Sequence, residues 1–333
     1  MILPPGKLSI DFLQEILPKF QNVSRLIAGP TIGEDAAVID FGETCLVATT
    51  DPITFATEEI GWYLVCVNSN DIATMGAVPK WLLVSILLPE NQTTEDLVRN
   101  IMLQITSACR QFDITLCGGH TEVTCGLNRP IVIGQMLGEV KKENLITAAG
   151  ARAGDDLILT KGIGIEATAI IAREQEGYLS NRFSPAFLKR ARSYLTNPGI
   201  SVLKEAAIAA GIKGVHAMHD PTEGGVATAI HELAYATKLG AILWEKRLII
   251  SEETEQLCAE FHLNPLGVIS SGALLIAAAP AYTKEILFAL SNENISCEVV
   301  GQLLAPDSGL WLETDDQRRP LPIFETDEIT KIL

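Results

Sequence analysis

The 333-residue sequence has no uninterrupted apolar run that reaches the ~18 residues a membrane-spanning helix needs, although 47% of it is hydrophobic. That apolar content is ample for two cores, and the length makes two domains of about 150 residues each the natural division. Positive charge is scarce: 25 Lys and Arg stand against 41 Asp and Glu, for a net charge of −16. A nucleic-acid duplex is therefore an unsuitable partner, because backbone binding rests on neutralising phosphates with Lys and Arg. Small anions remain admissible if a metal ion accompanies them. Seven cysteines (45, 66, 109, 117, 125, 258, 297) include no C-x-x-C pair and no zinc-finger spacing. They are expected to be buried reduced thiols rather than disulfides or metal ligands. No G-x-x-x-x-G-K-[ST] occurs, which excludes a P-loop. Met1 to Ile10 carries two prolines and no long apolar stretch, so neither a signal nor a transit peptide is expected there, and the cytoplasm is the default location.

What the chain does have is an interleaving of strand-like and helix-like segments. Cys45 to Thr50 and Trp81 to Leu88 are apolar, β-rich runs, and Glu58 to Met75 has helical period. Thr93-Thr94-Glu95-Asp96 has the capping-box pattern of a helix running through Cys109. Ile114 to Cys117 leads into Gly118-Gly119, and Pro130 to Val140 completes a first half of four strands and two helices. Small residues at Ala148 to Gly154 interrupt the pattern, and Asp155 to Thr160 restarts it as a strand. The domain boundary is placed there. Beyond it, helices are expected at 165–173, 185–195, 202–210, 225–236, 252–261 and 281–290, and strands at 215–218, 241–244, 273–278 and 298–303.

Acidic residues recur where loops are expected: Gly33-Glu34-Asp35-Ala36-Ala37, Thr50-Asp51, Asn70-Asp71 and Asp220-Pro221-Thr222-Glu223-Gly224-Gly225. Taken singly, Asp35, Asp51 and Asp220 are each better explained as a turn-former or a helix cap. Asn70-Asp71 is different, because it lies inside an apolar helical run, where a carboxylate is costly unless it reaches a metal or a partner. Carboxylates gathered from such points repel one another unless a divalent cation lies between them, and Mg²⁺ with substrate phosphates fits that need. The set points to a metal-nucleotide enzyme.

Two weaker signals are also present. Gly162-Ile163-Gly164-Ile165-Glu166-Ala167 satisfies a loose dinucleotide fingerprint, but no second strand ending in a ribose-binding acid follows, so a tight helix entry is favoured. His216 and His219 are three apart in an expected strand, where side chains alternate faces. A shared ligand role is disfavoured, and His219 is expected to orient the loop before Asp220.

In order, Gly33-Glu34-Asp35-Ala36-Ala37, Thr50-Asp51, Asn70-Asp71 with Met75-Gly76-Ala77, Gly118-Gly119-His120-Thr121, Asp220-Pro221-Thr222-Glu223-Gly224-Gly225 and Ser270-Ser271-Gly272-Ala273 resemble the aminoimidazole ribonucleotide synthetase (PurM) superfamily over nearly the whole chain. That superfamily includes selenophosphate synthetase, thiamine-monophosphate kinase, formylglycinamidine synthetase and the hydrogenase maturation protein HypE. His219-Asp220-Pro221-Thr222 before Gly224-Gly225 looks most like HypE. The resemblance implies an α/β (α+β) fold of two domains. Residues 1–150 would carry a four-stranded sheet that forms a barrel across a homodimer, and residues 151–333 a second α/β domain with a mixed sheet. ATP and Mg²⁺ are the implied cofactors, in the cleft between domains. Carried over residue by residue, Asp35, Asp51, Asp71 and Asp220 would hold metal and phosphates, with Asn70 beside them. Gly118 and Gly119 would let the backbone approach the nucleotide, with His120, Thr121 and Thr222 in the binding set. Asp35, Asp71 and His120 are the expected catalytic residues. The implied chemistry is ATP-dependent phosphorylation of a carbonyl, amide, phosphate or selenide.

Departures qualify the resemblance. HypE carries a C-terminal cysteine, a Lys shortly after its Gly-Asp-Thr, an Arg in Asp-Pro-Thr-Arg-Gly-Gly and an acid before the later glycine. Here the sequence ends Lys331-Ile332-Leu333 with Cys297 as its last cysteine, and the other places read Glu122, Glu223 and Ser271. Selenophosphate synthetase needs a reactive Cys or selenocysteine near its start, absent from Met1 to Phe20. The kinase's Gly-Gly-Asp-Thr is Gly118-Gly119-His120-Thr121 here. Two cation-to-carboxylate changes near a polyphosphate raise repulsion unless extra metal binds or the substrate is cationic. The chain is thus expected to be a HypE-like paralogue that activates a small-molecule oxygen nucleophile. The alternatives are a non-catalytic nucleotide-binding partner in metalloenzyme maturation, genuine HypE activity, and a thiamine-monophosphate-kinase-like phosphotransferase.

Overall fold

The computed structural model describes residues 6–18, 25–315 and 317–333. The chain divides into two compact units. The smaller comprises Asp35–Leu145 with Ser24–Ile27, and the larger Ile146–Leu333 with Ala28–Glu34 and the described part of Met1–Val23, including helix α1 (Ile10–Ile16).

The smaller unit contains strands β1 (Leu26–Ala28), β2 (Ala37–Asp40) and β3 (Thr44–Ile53), helix α2 (Ile60–Thr74), strand β4 (Val78–Pro89), helix α3 (Glu95–Gln111), and strands β5 (Thr115–Thr124) and β6 (Ile131–Lys141). The sheet order is β1-β2-β3-β6-β4-β5, so the four strands read from sequence are joined by two short ones. Pairing is antiparallel between β3, β6 and β4, and parallel between β4 and the edge strand β5. Helix α3 is amphipathic, with Ile101, Ile105, Ala108 and Cys109 buried, and starts where Thr94 Oγ1 accepts from the Leu97 N–H at 3.2 Å. Helix α2 is buried nearly all round: 13 of its 15 residues are inside, including Asn68, Ser69, Asn70 and Asp71.

β5 does not stop at Cys117, as the Gly118-Gly119 pair implied; it continues through both glycines to Thr124. A Cβ on Gly119 would lie 1.9 Å from the Val84 carbonyl oxygen of β4, so a side chain there cannot coexist with the β4–β5 ladder. Its positions are exposed nearly throughout, as expected of an edge with no layer over it.

The larger unit runs β7 (Asp156–Thr160), α4 (Ile165–Glu174), α5 (Glu176–Leu179), α6 (Pro185–Ser193), α7 (Leu203–Ala210), β8 (Val215–His219), α8 (Gly225–Thr237), β9 (Gly240–Trp244), α9 (Glu252–Glu260), β10 (Leu275–Ala278), α10 (Pro280–Asn292), β11 (Cys297–Leu304), β12 (Leu310–Glu313) and β13 (Arg318–Pro320). Its seven-stranded sheet, ordered β13-β12-β9-β11-β7-β10-β8, is mixed because β12 runs parallel to β9. The short β12 and β13 carried too little pattern to be seen in the sequence. The core gathers Leu157, Leu159, Ile230, Leu243, Leu275 and Leu303 between the sheet and α8.

All seven cysteines are free. Burial of every thiol is not what the structure shows: Cys117 and Cys125 are exposed on and just after the uncovered edge strand, while Cys45, Cys66, Cys109 and Cys258 are buried. Among the described residues, no helix is long and apolar enough to cross a membrane.

Candidate functional site

In the smaller unit the site grows from the meeting of β3 with α2. Thr49 Oγ1 donates to Asp71 Oδ2 at 2.7 Å and also lies 3.3 Å from the Asp35 carbonyl oxygen. One hydroxyl thus ties the expected catalytic pair, Asp35 and Asp71, to the same strand. Asp71 is only 5% exposed on a helix with no basic residue, so its charge is desolvated unless something cationic meets it. Asp51 is held differently: its N–H donates to Asn68 Oδ1 at 3.0 Å, and Asn68 Nδ2 donates back to the Asp51 carbonyl at 3.3 Å and to Leu64 at 2.9 Å. Asn68 was not among the expected site residues. The signal was available, since it is one more polar residue in the same apolar helical run as Asn70-Asp71. Gly134 of β6 faces it, and a Cβ there would come within 2.5 Å of the Asn68 side chain.

His120 lies on β5, with β6 and β4 between it and β3 in the sheet. Its Nε2 is 3.1 Å from Glu122 Oε2, and Thr124 Oγ1 donates to Glu122 Oε1 at 2.8 Å. These bonds, Thr124 first and His120 second, hold the Glu122 carboxyl below its ordinary range. Thr121 follows on the same exposed strand. Asp35, Thr49 and Asp71 are therefore one cluster, and His120, Thr121 and Glu122 another.

In the larger unit, β8 delivers His219 and Asp220 to a turn that α8 then continues. Gly224 and Gly225 both take left-handed conformations (φ 79° and 64°). A Cβ on Gly225 would lie 2.5 Å from the Leu266 carbonyl, so the double glycine is what lets the chain enter α8 here. The Gly224 N–H donates to Asp327 Oδ2 at 2.7 Å, placing a carboxyl at the helix start. Asp220 is 1% exposed. The two histidines of β8 have separate partners, as alternation required: His216 Nδ1 meets Asp155 at 2.9 Å, and His219 Nε2 meets Glu232 of α8 at 3.1 Å. Glu232 also pairs with Lys7 Nζ at 2.5 Å, and the Lys7 N–H donates to Glu223 Oε2 at 2.8 Å. Burial alone would raise the Glu232 carboxyl, but the His219 and Lys7 contacts outweigh it and hold the group at about 2.

Glu166, in the first turn of α4, also escaped the sequence reading because it looked like part of a helix entry. Burial pushes its carboxyl up to about 7, with Ser271 beside it opposing and the Asp327 and Glu223 charges adding to the rise. Burial likewise pushes Asp327 up to about 7, against the N–H groups of Ile329, Gly224 and Ile269. Glu34 has a structural partner: its carboxylate accepts from the Ala148 and Ala149 N–H groups at 3.2 and 3.4 Å.

Residues 33–140 match the model of the AIR synthase related protein N-terminal domain, and residues 152–311 match that of its C-terminal domain. The chain belongs to this family, the PurM superfamily. Several of its relatives are named for hydrogenase expression or formation. It is 27% identical to a Methanocaldococcus jannaschii protein named for hydrogenase expression/formation, over 98% of this chain and 97% of that one. It is 30% identical to the carbamoyl dehydratase HypE of Cupriavidus necator, over 76% of this chain and 70% of that one. The fold matches HypE in a HypE–HypF complex (TM-score 0.73, 20% identity, 87% of this chain and 93% of that one). It also matches HypE in complex with ATP (TM-score 0.69, 20% identity, 90% and 92%).

Proposed function

We propose that this chain is an ATP- and Mg²⁺-dependent enzyme of the HypE kind that activates the oxygen of a small carbonyl, amide or phosphate acceptor by phosphoryl transfer. The observation that carries this is Asp71: a carboxylate buried on an apolar helix, hydrogen-bonded by Thr49 in company with Asp35, in a chain whose relatives include an ATP-bound HypE. Hard carboxylate oxygens suit Mg²⁺, and Asp35, Asp51 and Asp71, with Asp220 from the larger unit, are the residues that would hold it. When bound, the ion neutralises charge that develops on the transferred phosphoryl group. The protein's own part is to fix Asp71 through Thr49, to hold β3 against α2 through Asn68, and to present Gly118, Gly119, His120 and Thr121 along β5. Asn70 and Thr222 complete the proposed nucleotide contacts.

A homodimer forms part of this reading. Its support is β5, a ten-residue edge strand exposed at nearly every position, on which a second copy would cover Val123. A second reading, a nucleotide-binding maturation partner without turnover, is favoured by Glu122 and Glu223, which add negative charge where polyphosphate would have to be met.

The test is calorimetric titration of ATP with and without Mg²⁺ on wild type and Asp71→Asn, followed by phosphate release on the same samples. Metal-dependent binding that the substitution abolishes, with release stimulated by a cell-extract metabolite, is the expected result. Binding without turnover favours the maturation-partner reading, and no binding overturns both.

A further inference from the structure

The larger unit contains a cavity of about 660 Å³, within the range of small-molecule sites. It lies against α8 and has mainly apolar walls, among them Leu8, Ile10, Tyr235, Leu239, Leu310 and Phe324. Its charge is one-sided. Among the described residues that line it, Glu223, Glu232, Asp307, Glu325 and Asp327 are acidic, against Lys7 and Lys238. His231 adds no cation, since burial lowers its basicity and its Nε2 is spent on the Pro322 carbonyl at 3.1 Å.

Two of the acids are built into the site rather than scattered over its rim. Glu232 and Asp327 are 5% and 2% exposed; Glu232 stands on the body of α8, and Asp327 is held by the Gly224 N–H at the start of that helix. The cavity already holds one ammonium group on an aliphatic stem: Lys7 Nζ reaches Glu232 at 2.5 Å while Leu8 and Ile10 of the same segment line the wall. Asp327, pushed up toward neutrality by burial, gains from a cation that lets it ionise. An anion would meet five carboxyls, and a neutral apolar molecule would bring no positive charge to them.

We propose that this cavity binds a small organic cation with an apolar body, of the arylammonium or alkylammonium class, and that Glu223, Glu232 and Asp327 supply its charge recognition. The site lies wholly within the larger unit and does not depend on the nucleotide reading above.

The experiment is calorimetric titration of the full chain with three molecules of matched shape, benzylammonium, benzyl alcohol and benzoate, with ATP titrated separately on the same preparations. Benzylammonium is expected to bind about tenfold more tightly than benzyl alcohol, and benzoate less tightly than either. Glu223→Gln combined with Glu325→Gln is expected to weaken the ammonium about tenfold and leave the alcohol unchanged. Lys7→Met is expected to tighten it, because Glu232 loses its internal ammonium partner and keeps only His219; this sign still decides the matter if the double variant does not fold. Equal binding of the alcohol, preference for benzoate, no heat from any of the three up to about 10 mM, or an unchanged ammonium affinity in Lys7→Met overturns the proposal. Loss of ATP binding with ammonium binding retained refutes the nucleotide reading alone.

Discussion

Replacing Glu166 by Gln should make the larger unit more stable at alkaline pH, an unusual result for a change at a buried polar residue. Glu166 is 4% exposed and its carboxyl is raised from 4.5 to about 7, chiefly by burial. Below pH 4.5 the group is protonated in the folded and unfolded chain alike, and its folded-state stability is fully present. As pH rises from there, the unfolded chain loses the proton first, and stability falls until the folded carboxyl also ionises near 7. At 1.36 kcal/mol per unit, the penalty above pH 7 comes to about 3 kcal/mol. Gln keeps the shape and removes the titration. The assay is guanidinium unfolding at pH 5 and pH 8 in a Trp62→Phe/Trp81→Phe background, so that emission comes from Trp244 and Trp311 of the larger unit. Wild type should lose stability between the two pH values, and Glu166→Gln should lose less and exceed wild type at pH 8. Asp327, also raised to about 7, is left in place and keeps part of the slope in both proteins. An identical pH slope in the two proteins, or a variant weaker than wild type at pH 8, would refute the reasoning.

Asn68→Ala should cost the smaller unit about 2–3 kcal/mol, because it strands the Asp51 N–H and carbonyl that Asn68 now satisfies; chemical denaturation measures it. Gly119→Ala should break the β4–β5 pairing, since the added carbon would lie 1.9 Å from the Val84 oxygen; loss of amide-exchange protection confined to residues 115–124 and their β4 partners is the expected signature.

The helical periods of α2, α3 and α8 and the apolar runs of β3, β4, β6 and β7 were legible because each is long enough for burial to impose a pattern. The strands that escaped are short: Leu26–Ala28, Ala37–Asp40, Leu310–Glu313 and Arg318–Pro320. Gly118-Gly119 misled for a physical reason, since paired glycines usually break a strand, whereas here Gly119 permits one strand to approach another. Among the candidate site's aspartates, Asp71 was visible as an acid in a costly place, and the others as acids recurring at expected loops. Asn68 stood beside Asn70-Asp71 in the same apolar run without being singled out, and Glu166 passed as part of a helix entry. The link from Lys7 to Glu232 spans 225 residues and depends on the folded path of the chain, which no local pattern encodes.

Helix α2 carries Asn68, which fastens β3, and Asp71, which meets Thr49 on that same strand, three residues apart on one buried element. A helix so enclosed cannot slide or rotate to retune the carboxylate without tearing the bond that registers it against the sheet. Loops and pocket walls are therefore free to diverge, while the position of Asp71 changes only if the smaller unit's core is rebuilt with it.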